Sequence, residues 1–309
     1  MRRATWTAAT LAAIAAALVL ALVALATPAQ ARAVVREALV DIDEGLSVHE
    51  KISTQPLRDG GVWVVSGATG RTGTLAYHAL QASGNVDVRA LIRNATKAKS
   101  ELNCGECTES EGIFIGDVTK RKTLTRAMKG ADGLVILTGS YPLQDSSGHY
   151  YYPSGATPKD IDWRGTVNQI LEAKANGVKH IVLVSSLGTT IPDGALDKLG
   201  NGHALFYKLN AEATLMQSGL TFSIIKPCGL TNQSLHLGTQ VGHCDNFKHI
   251  PVAPLISRAS IASYVKAIVF ATGDLGRNVR FGVCSDPLRP FGKDDMNKLL
   301  AAAADMSDC

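Results

Sequence analysis

The chain has 309 residues, 46% of them hydrophobic, and a formal net charge of +4 at pH 7. This length and apolar content suffice for one large α/β core or two smaller cores. The near-balanced charge, without a long basic run, argues against a nucleic-acid partner.

The N-terminus has the pattern of an export signal. Arg2 and Arg3 precede the charge-free apolar run 8–26, and the small-residue pattern AQA follows at 29–31. A basic start, an apolar middle and a small-residue exit are typical of a cleaved secretory signal. The run is also long enough to span a bilayer, so residues 1–31 are expected to be either a signal peptide or a membrane anchor attached through residues 8–26.

The segment 32–60 contains several acidic residues and ends in a polar Asp-Gly-Gly stretch. Organelle transit peptides are poor in acidic residues, so this segment does not resemble one. We interpret it as a linker that precedes a folded domain at 61–304.

Beyond the linker, apolar strands alternate with amphipathic helices. Strands are predicted at VWVVSG (62–67), VDVRALI (86–92), GIFIG (112–116), DGLVILTG (132–139), HIVLVSS (180–186), TFSIIKP (221–227) and VRFGVCS (279–285). Helices are predicted at 71–82, up to Met128, and at 161–177, 203–218, 257–272 and about 292–304. Apolar strands that are each followed by a helix predict a Rossmann-type α/β fold, a doubly wound parallel sheet with helices on both faces.

Three segments lack this rhythm, namely 140–160, 187–202 and 228–256. The last two directly follow predicted strands. Binding residues concentrate on such loops, so we expect these three segments to build the pocket for a substrate.

Three glycines, Gly67, Gly70 and Gly73, join the first strand to the first helix. Free N–H groups and the positive end of the dipole make a helix N-terminus attractive to phosphate. Gly67 permits a tight turn, Gly70 the close approach of a diphosphate, and Gly73 the packing of the helix on the strand. Strand, glycines, helix and second strand follow in order, which predicts a dinucleotide-binding site.

The residue after the second strand indicates which dinucleotide binds. NAD sites usually carry an acid there, which bonds the ribose 2′-hydroxyl. Here Arg93 takes that place, and Arg71 lies inside the glycine turn. Arginine forms paired bonds to phosphate oxygens, so two guanidiniums converging on a 2′-phosphate favour NADP(H) over NAD(H). Lys97 and Lys99 are interpreted as a solvated face.

Two further strand ends supply candidate cofactor contacts. Asp117 is placed to accept a hydrogen bond from the adenine amino group, and Thr138 and Gly139 lie where the nicotinamide ribose is expected. Asp117 fits equally well as the cap of a helix that begins near Thr119.

The cysteines leave alternatives open. Cys104 and Cys107 form one C-G-E-C motif among six cysteines. A single CxxC fits a disulfide, a redox pair or half a metal site. No second CxxC or histidine pair stands at zinc spacing, so no metal site is predicted. Whether the pair is a disulfide or two thiols stays open.

Six segments together resemble the NmrA-like branch of the atypical short-chain dehydrogenases/reductases: SGATGRTG, ALIRNATKA, GDVTKRKTLTRAMKGADGLVILTG, DWRGTVNQILEAKANGVKHIVLVSSLG, KLNAEATLMQSGLTFSIIKPCGL and ISRASIASYV. The resemblance covers about residues 61–290. It implies a Rossmann fold that binds NAD(P). It says less about activity, because this branch includes reductases, epimerase-like enzymes and catalytically silent redox sensors.

The resemblance also implies which residues contact the cofactor. They are Gly67, Thr69, Gly70, Arg71, Thr72 and Gly73 at the diphosphate, Arg93 at the 2′-phosphate, Asp117 and Val118 at the adenine, Ser185 and Ser186 under the nicotinamide, Pro227 beside it, and Lys208 at the start of a K-x-x-x-E helix.

One departure from the wider family concerns catalysis. Tyrosine-dependent short-chain dehydrogenases carry Y-x-x-x-K, but Ala204 stands four residues before Lys208, and Tyr207 is adjacent to the lysine. The usual proton donor is therefore missing. Lys208 is then the candidate proton donor, helped by the hydroxyl of Ser186 or Tyr207. Alternatively, Lys208 contacts the cofactor ribose or forms a surface ion pair with Glu212.

Two functions follow from these residues. The first is an NADPH-dependent reductase of a small carbonyl or activated alkene, and the second is a non-catalytic NADP(H) sensor or assembly scaffold. The sequence identifies neither the substrate nor the oligomeric state. The N-terminus predicts a protein that is secreted or anchored in a membrane. Alternatively, the protein reaches a plastid-like organelle through the secretory route, and such an organelle would contain NADPH.

Overall fold

The computed structural model describes residues 61–191, 193–233, 237–243, 245, 255–290 and 295–304. The expected signal or anchor at 1–31 and the linker at 32–60 lie outside the described residues. Within the described ranges, no helix combines the length and apolarity needed to cross a membrane.

The strands, in chain order, are β1 (Val62–Ser66), β2 (Asp87–Ile92), β3 (Ile113–Ile115), β4 (Gly133–Ile136), β5 (Leu143–Gln144), β6 (Tyr150–Tyr151), β7 (His180–Val184), β8 (Thr221–Pro227), β9 (Gly229–Thr231), β10 (Leu237–His243), β11 (Leu255–Ser257) and β12 (Val279–Pro290). The α-helices are α1 (Arg71–Gln81), α2 (Ala95–Leu102), α3 (Thr125–Met128), α4 (Thr166–Ala175), α5 (Ala204–Gln217), α6 (Arg258–Val269) and α7 (Met296–Ala304).

Eight strands form one sheet in the order β10-β12-β8-β7-β4-β1-β2-β3. Seven of them run parallel, and β10 pairs antiparallel with β12 at one edge. The direction of winding reverses between β1 and β4, and ligands of such sheets bind at the carboxyl ends of the strands at that point. The predicted Rossmann-type fold is therefore confirmed.

Alternate side chains of the central strands are buried on opposite faces of the sheet. Val65 belongs to the core under α1 and α6, whereas its neighbour Val64 belongs to the core under α4 and α5. Both valines are 0% exposed. Burying a valine contributes about 1.5–3 kcal/mol, so the continuous apolar strands stabilise a sheet that is covered on both faces.

The structure adds elements that were not predicted from the sequence, namely α2 and the strands β5, β6, β9, β10 and β11. Helix α2 begins at Asn94, whose side chain accepts a hydrogen bond from the Lys97 amide at 3.2 Å, an ordinary N-cap. Strand β10 lies inside the segment 228–256, where no strand was expected. Its glycine-interrupted sequence has little strand propensity, and pairing with β12 overrides that propensity. Helix α4 is preceded by a π-helical stretch, Lys159–Gly165.

Candidate functional site

A cleft opens at the carboxyl ends of β1 and β4, where the winding of the sheet reverses. It consists of a cavity of about 480 Å³ on the β2 side and one of about 900 Å³ on the β7 and β8 side. The two cavities share part of their walls, including Gly70, Thr138 and Gly139. Such a continuous cleft suits an elongated ligand with two ends.

The glycine turn forms the floor between the cavities. Gly67 has φ +73°, a conformation that side chains rarely adopt, and Gly70 is the N-cap of α1. A Cβ on Gly73 would lie 2.1 Å from the Gly67 carbonyl oxygen, so α1 could not pack on the turn with any larger residue. The first turn of α1 contains no acidic residue. These features fit a bound diphosphate, which needs bare backbone and no repelling charge.

The smaller cavity contains the residues predicted for the adenosine end. Thr69, Arg93 and Val118 line it. The Asp117 carboxylate accepts hydrogen bonds from the Thr119 amide at 2.9 Å and the Thr119 hydroxyl at 2.8 Å. These bonds close a turn and cap no helix, because the next short helix begins at Arg121 with Lys120 as its N-cap, so the capping role expected near Thr119 is wrong. Partial burial acts to raise the pKa of Asp117, but these hydrogen bonds and the Arg93 charge hold it below its ordinary value.

The two arginines expected at the 2′-phosphate are divided between the cavities. Arg93 lines the smaller one, whereas Arg71 lines the larger one with its guanidinium 5.2 Å from the centre of the Tyr141 ring. Lys97 is exposed and lines both cavities, while Lys99 forms an exposed pair with Glu106 at 3.6 Å. The convergence of Arg93 and Arg71 on one 2′-phosphate stays a prediction.

The larger cavity contains the residues predicted for the nicotinamide end. Ser185, Ser186, Pro227 and Lys208 line it, together with Thr72, which was predicted at the diphosphate. They come from α1, from the loop after β7, from the end of β8 and from α5. The fold brings these separate segments together because the carboxyl ends of parallel strands lie at one edge of the sheet.

Lys208 is held by a buried carboxylate that the sequence reading missed. Its Nζ lies 2.6 Å from Asp162 Oδ1, and the Asp162 side chain is 0% exposed. The other oxygen of Asp162 accepts hydrogen bonds from the Ser140 amide at 3.1 Å and from the Ser140 hydroxyl. Gly139 leaves the space beside the lysine open, since a Cβ there would lie 3.6 Å from Nζ. Lys208 is therefore fixed in the cavity wall as one half of an ion pair.

The sequence offered one signal for Asp162, which is its place at the start of a helix that follows a predicted pocket segment. An acidic residue there is common for dipole reasons alone, and so it did not stand out.

Tyr207 lies away from this wall. Its ring stacks on Trp163 with the ring centres 5.8 Å apart and an interplanar angle of 18°. Among the described residues that line the larger cavity, Lys208 is present and Tyr207 is absent. Helical geometry explains this result, because adjacent residues on a helix point in directions about 100° apart. Of the two hydroxyls predicted to assist Lys208, that of Ser186 therefore lies in the same cavity as the lysine and that of Tyr207 does not.

Glu212 pairs with Arg280 and not with Lys208, the partner that the sequence allowed. Its buried carboxylate accepts hydrogen bonds from Arg280 Nε at 2.8 Å and Nη2 at 2.7 Å. The Ser185 hydroxyl also donates to it. The pairing of Lys208 with Glu212 is therefore wrong, and Glu212 instead ties β12 to the loop after β7.

A second buried pair supports the same loop. Lys226 Nζ, 0% exposed, lies 2.8 Å from Asp245 Oδ2. Asp245 in turn accepts hydrogen bonds from the Gly188 amide at 2.6 Å and the Thr190 amide at 2.8 Å. Burial acts to raise the pKa of Asp245, but these partners hold it below its ordinary value. Segments 187–202 and 228–256, both predicted to build the pocket, are thereby joined through Asp245.

Two disulfides are present among the described residues. Cys104 pairs with Cys107, which resolves the open choice for the CxxC motif, and Cys228 pairs with Cys284. The second pair joins the end of β8, in the wall of the larger cavity, to β12. Sequence spacing gives no sign of this pair, since its cysteines meet only in the folded sheet.

One group of possible metal ligands, Asp193, Asp197 and His203, comes together near α5. Asp197 accepts hydrogen bonds from the Leu205 amide at 2.8 Å and the Phe206 amide at 3.0 Å. It therefore caps the N-terminus of α5, and His203 bonds the other oxygen of the same carboxylate. Helix capping accounts for these contacts.

The sheet, its glycine turn and the cleft at the reversal point are those of a Rossmann-type protein that binds a dinucleotide. A family model described as NAD(P)H-binding matches residues 67–272, and the chain belongs to this family. The resemblance to the atypical short-chain dehydrogenases/reductases is thereby confirmed.

Relatives and solved structures agree with this assignment. The chain is 39% identical to sanguinarine reductase of Eschscholzia californica over 197 residues, which are 55% of the chain and 70% of that protein. It is 37% identical to an uncharacterized chloroplastic protein of Arabidopsis thaliana over 197 residues, 61% of the chain and 58% of the relative. The fold matches a Veillonella parvula short-chain dehydrogenase/reductase solved with NADP, with a TM-score of 0.55, 14% identity and coverage of 76% and 99%.

Proposed function

We propose that the protein is an NADP(H)-dependent reductase that acts on a small carbonyl or an activated alkene. The observation that carries this proposal is Lys208, a cation fixed on a buried carboxylate in the wall of the larger cavity. A fixed cation beside a reacting group stabilises the negative charge that develops when hydride is added. The likeness to sanguinarine reductase supports a reductase.

Different residues of the cleft would bind the cofactor, donate the proton and orient the donor. The glycine turn and Arg93 would hold the dinucleotide, which supplies a hydride to carbon when it is bound. Lys208 would donate a proton to the substrate oxygen or to the carbon next to the one that is reduced. Asp162 keeps the ammonium oriented, and Ser140 keeps Asp162 oriented. Leu137, Leu187 and Leu230 line the same cavity and would give a bound substrate an apolar surface.

The choice of NADP(H) rests on Arg93 in the smaller cavity. An Arg93→Asp variant removes a partner for the 2′-phosphate and supplies one for a ribose 2′-hydroxyl. We expect its preference to invert toward NADH, measured by titrating NADPH and NADH against protein fluorescence. NADPH affinity equal to that of the unmodified protein would contradict the assignment.

The reductase is tested by NADPH oxidation over a panel of carbonyls and activated alkenes, with sanguinarine, the substrate in the relative's name, added as a separate compound. Lys208→Ala should lower kcat about 10²–10⁴-fold, the usual contribution of a general acid, and leave the Kd for NADPH nearly unchanged. The matched control is Lys298→Ala, which alters an exposed lysine with a surface partner. A raised Kd with unchanged kcat would show instead that Lys208 holds the ribose.

A second function is favoured by Ala204, which stands four residues before Lys208 where a tyrosine would donate a proton. A protein without that donor would bind NADP(H) as a sensor or an assembly scaffold. Tight NADPH binding, absence of single-turnover reduction over the whole panel, and recovery of one defined protein partner would together favour this function over the reductase.

For the location, the chloroplastic name of the Arabidopsis relative supports the plastid-like alternative. A fluorescent fusion of the full chain, observed in plant cells with a plastid marker, tests it. Fluorescence confined to the secretory system would favour the export signal.

A further inference from the structure

Arg258, the first residue of α6, is a buried arginine in the wall of the larger cavity, with 8% of its surface exposed. Its Nη1 donates a hydrogen bond to Asn232 Oδ1 at 2.7 Å. No carboxylate of the described residues lies within ion-pair distance of its guanidinium, and the charge that acts on it is the neighbouring cation Arg71. A buried cation without an opposite charge is unfavourable, so this position calls for an anion.

Arg71 is a second arginine of this cavity; it is exposed, and it also forms no ion pair with a carboxylate of the described residues. It is the first residue of α1, and its guanidinium packs over the Tyr141 ring in the same cavity. Helices α1 and α6 pack against each other, and both begin at the cavity, because the first residue of each lines it. Burial and the charge of Arg71 lower the pKa of Arg258, as expected for a buried cation beside a second cation. Arginine keeps its proton even so.

Three other arginines of the described residues each pair with a glutamate: Arg121 with Glu172, Arg126 with Glu109, and Arg280 with Glu212. Two neighbouring arginines without such partners, between two helix N-termini, are instead typical of a site for a multiply charged anion.

The position of the pair identifies the anion. Gly70 and Thr72, from the glycine turn and the first turn of α1, line the same cavity. A dinucleotide bound to this turn presents its diphosphate there. We propose that Arg258, together with Arg71, binds the diphosphate, so that α6 forms part of the cofactor site. The inference rests on the proposed NADP(H) function, and it explains why Arg71 and Arg93 line different cavities.

The test compares a ligand that contains the diphosphate with one that lacks it. NADPH and adenosine 2′-monophosphate are each titrated by calorimetry against the unmodified protein, Arg258→Gln and the control Arg126→Gln, which alters an exposed arginine. A charged hydrogen bond contributes enough that Arg258→Gln should raise the Kd for NADPH about 10–100-fold. The Kd for adenosine 2′-monophosphate should stay within about twofold, because that ligand does not reach Arg258. Arg126→Gln should bind both ligands normally.

Arg258→Lys covers the case in which Arg258→Gln does not fold. It keeps the charge but loses the two-pronged geometry, so we expect a rise in the Kd for NADPH of about 3–10-fold. The proposal is overturned if either folded variant binds NADPH like the unmodified protein. A raised KM for an acidic substrate in such a variant would show that Arg258 binds the substrate and not the diphosphate. Equal weakening of both ligands also overturns it. Failure of the unmodified protein to bind NADPH would overturn the proposed function itself, which is a distinguishable result.

Discussion

The two sides of the cleft are built in different ways. On the β1–β2 side, the glycine turn and α1 make their contacts within a few residues of each other, such as the Gly70 amide to the Gly67 carbonyl oxygen at 2.8 Å. On the β7–β8 side, the contacts join residues far apart in the chain, such as Arg280 to Glu212 and Lys226 to Asp245. Backbone sterics shape the first side, and buried charge pairs shape the second.

The two sides therefore tolerate different substitutions. The glycine side leaves no room for added atoms, because its close contacts are backbone to backbone. The charged side is sensitive to the loss of one member of a pair, since its partner is left buried and uncompensated. The predictions below probe each kind of sensitivity in turn.

The largest effect is expected from Gly73→Ala. The new Cβ would lie 2.1 Å from the Gly67 carbonyl oxygen, and neither backbone can move without opening the turn. We expect a loss of at least about 4 kcal/mol in the free energy of unfolding, measured by urea denaturation, since such losses mark a severe core defect. Gly194→Ala is the control, because the nearest atom to its Cβ is 3.9 Å away. Equal stability of both variants would refute the steric account.

Glu212→Gln should be next in size. The variant keeps the shape but leaves the Arg280 guanidinium, whose side chain is 9% exposed, without its charge partner. We expect a loss of about 3 kcal/mol in the free energy of unfolding. Glu109→Gln breaks the exposed pair with Arg126 and should lose less than about 1 kcal/mol. If the two variants lose the same amount, burial is not what makes the charged side sensitive.

The smallest effect, about 1.4 kcal/mol between pH 5.5 and pH 4.5, is a pH dependence from His180 at the start of β7. Burial, followed by the charge of Arg277, lowers the pKa of His180 to about 3. The unfolded chain therefore takes up this proton first, once the pH falls below about 6.5. The free energy of unfolding should decrease by about 1.4 kcal/mol per pH unit between that pH and about 3 because of this residue. Its full contribution is present above that window.

Urea denaturation at pH 5.5 and pH 4.5 measures this slope, and His180→Gln provides the comparison, since an amide can still bond Ser223. The variant should show a shallower slope by roughly the stated amount. An unchanged slope would mean that the acid sensitivity of the β7–β8 side comes from its carboxylates alone.

Sequence reading predicted the glycine turn and most of the sheet correctly, because these depend on local properties. A glycine at Gly67 or Gly73 follows from backbone conformation and close packing, and the apolar strands follow from burial on both faces. It missed Asp162, Arg258 and the Cys228–Cys284 disulfide. Each is chemically ordinary in its own segment and gains a role only from a partner that is distant in the chain.

By itself, the sequence determined a doubly wound sheet with a dinucleotide turn, since strand periodicity and glycine spacing act over a few residues. The tertiary structure decided which charges face one another: Lys208 on Asp162, Glu212 on Arg280, and Arg258 beside Arg71. The physical reason is that the energy of a buried charge depends on the charges and the solvent around it in space, which no local pattern encodes.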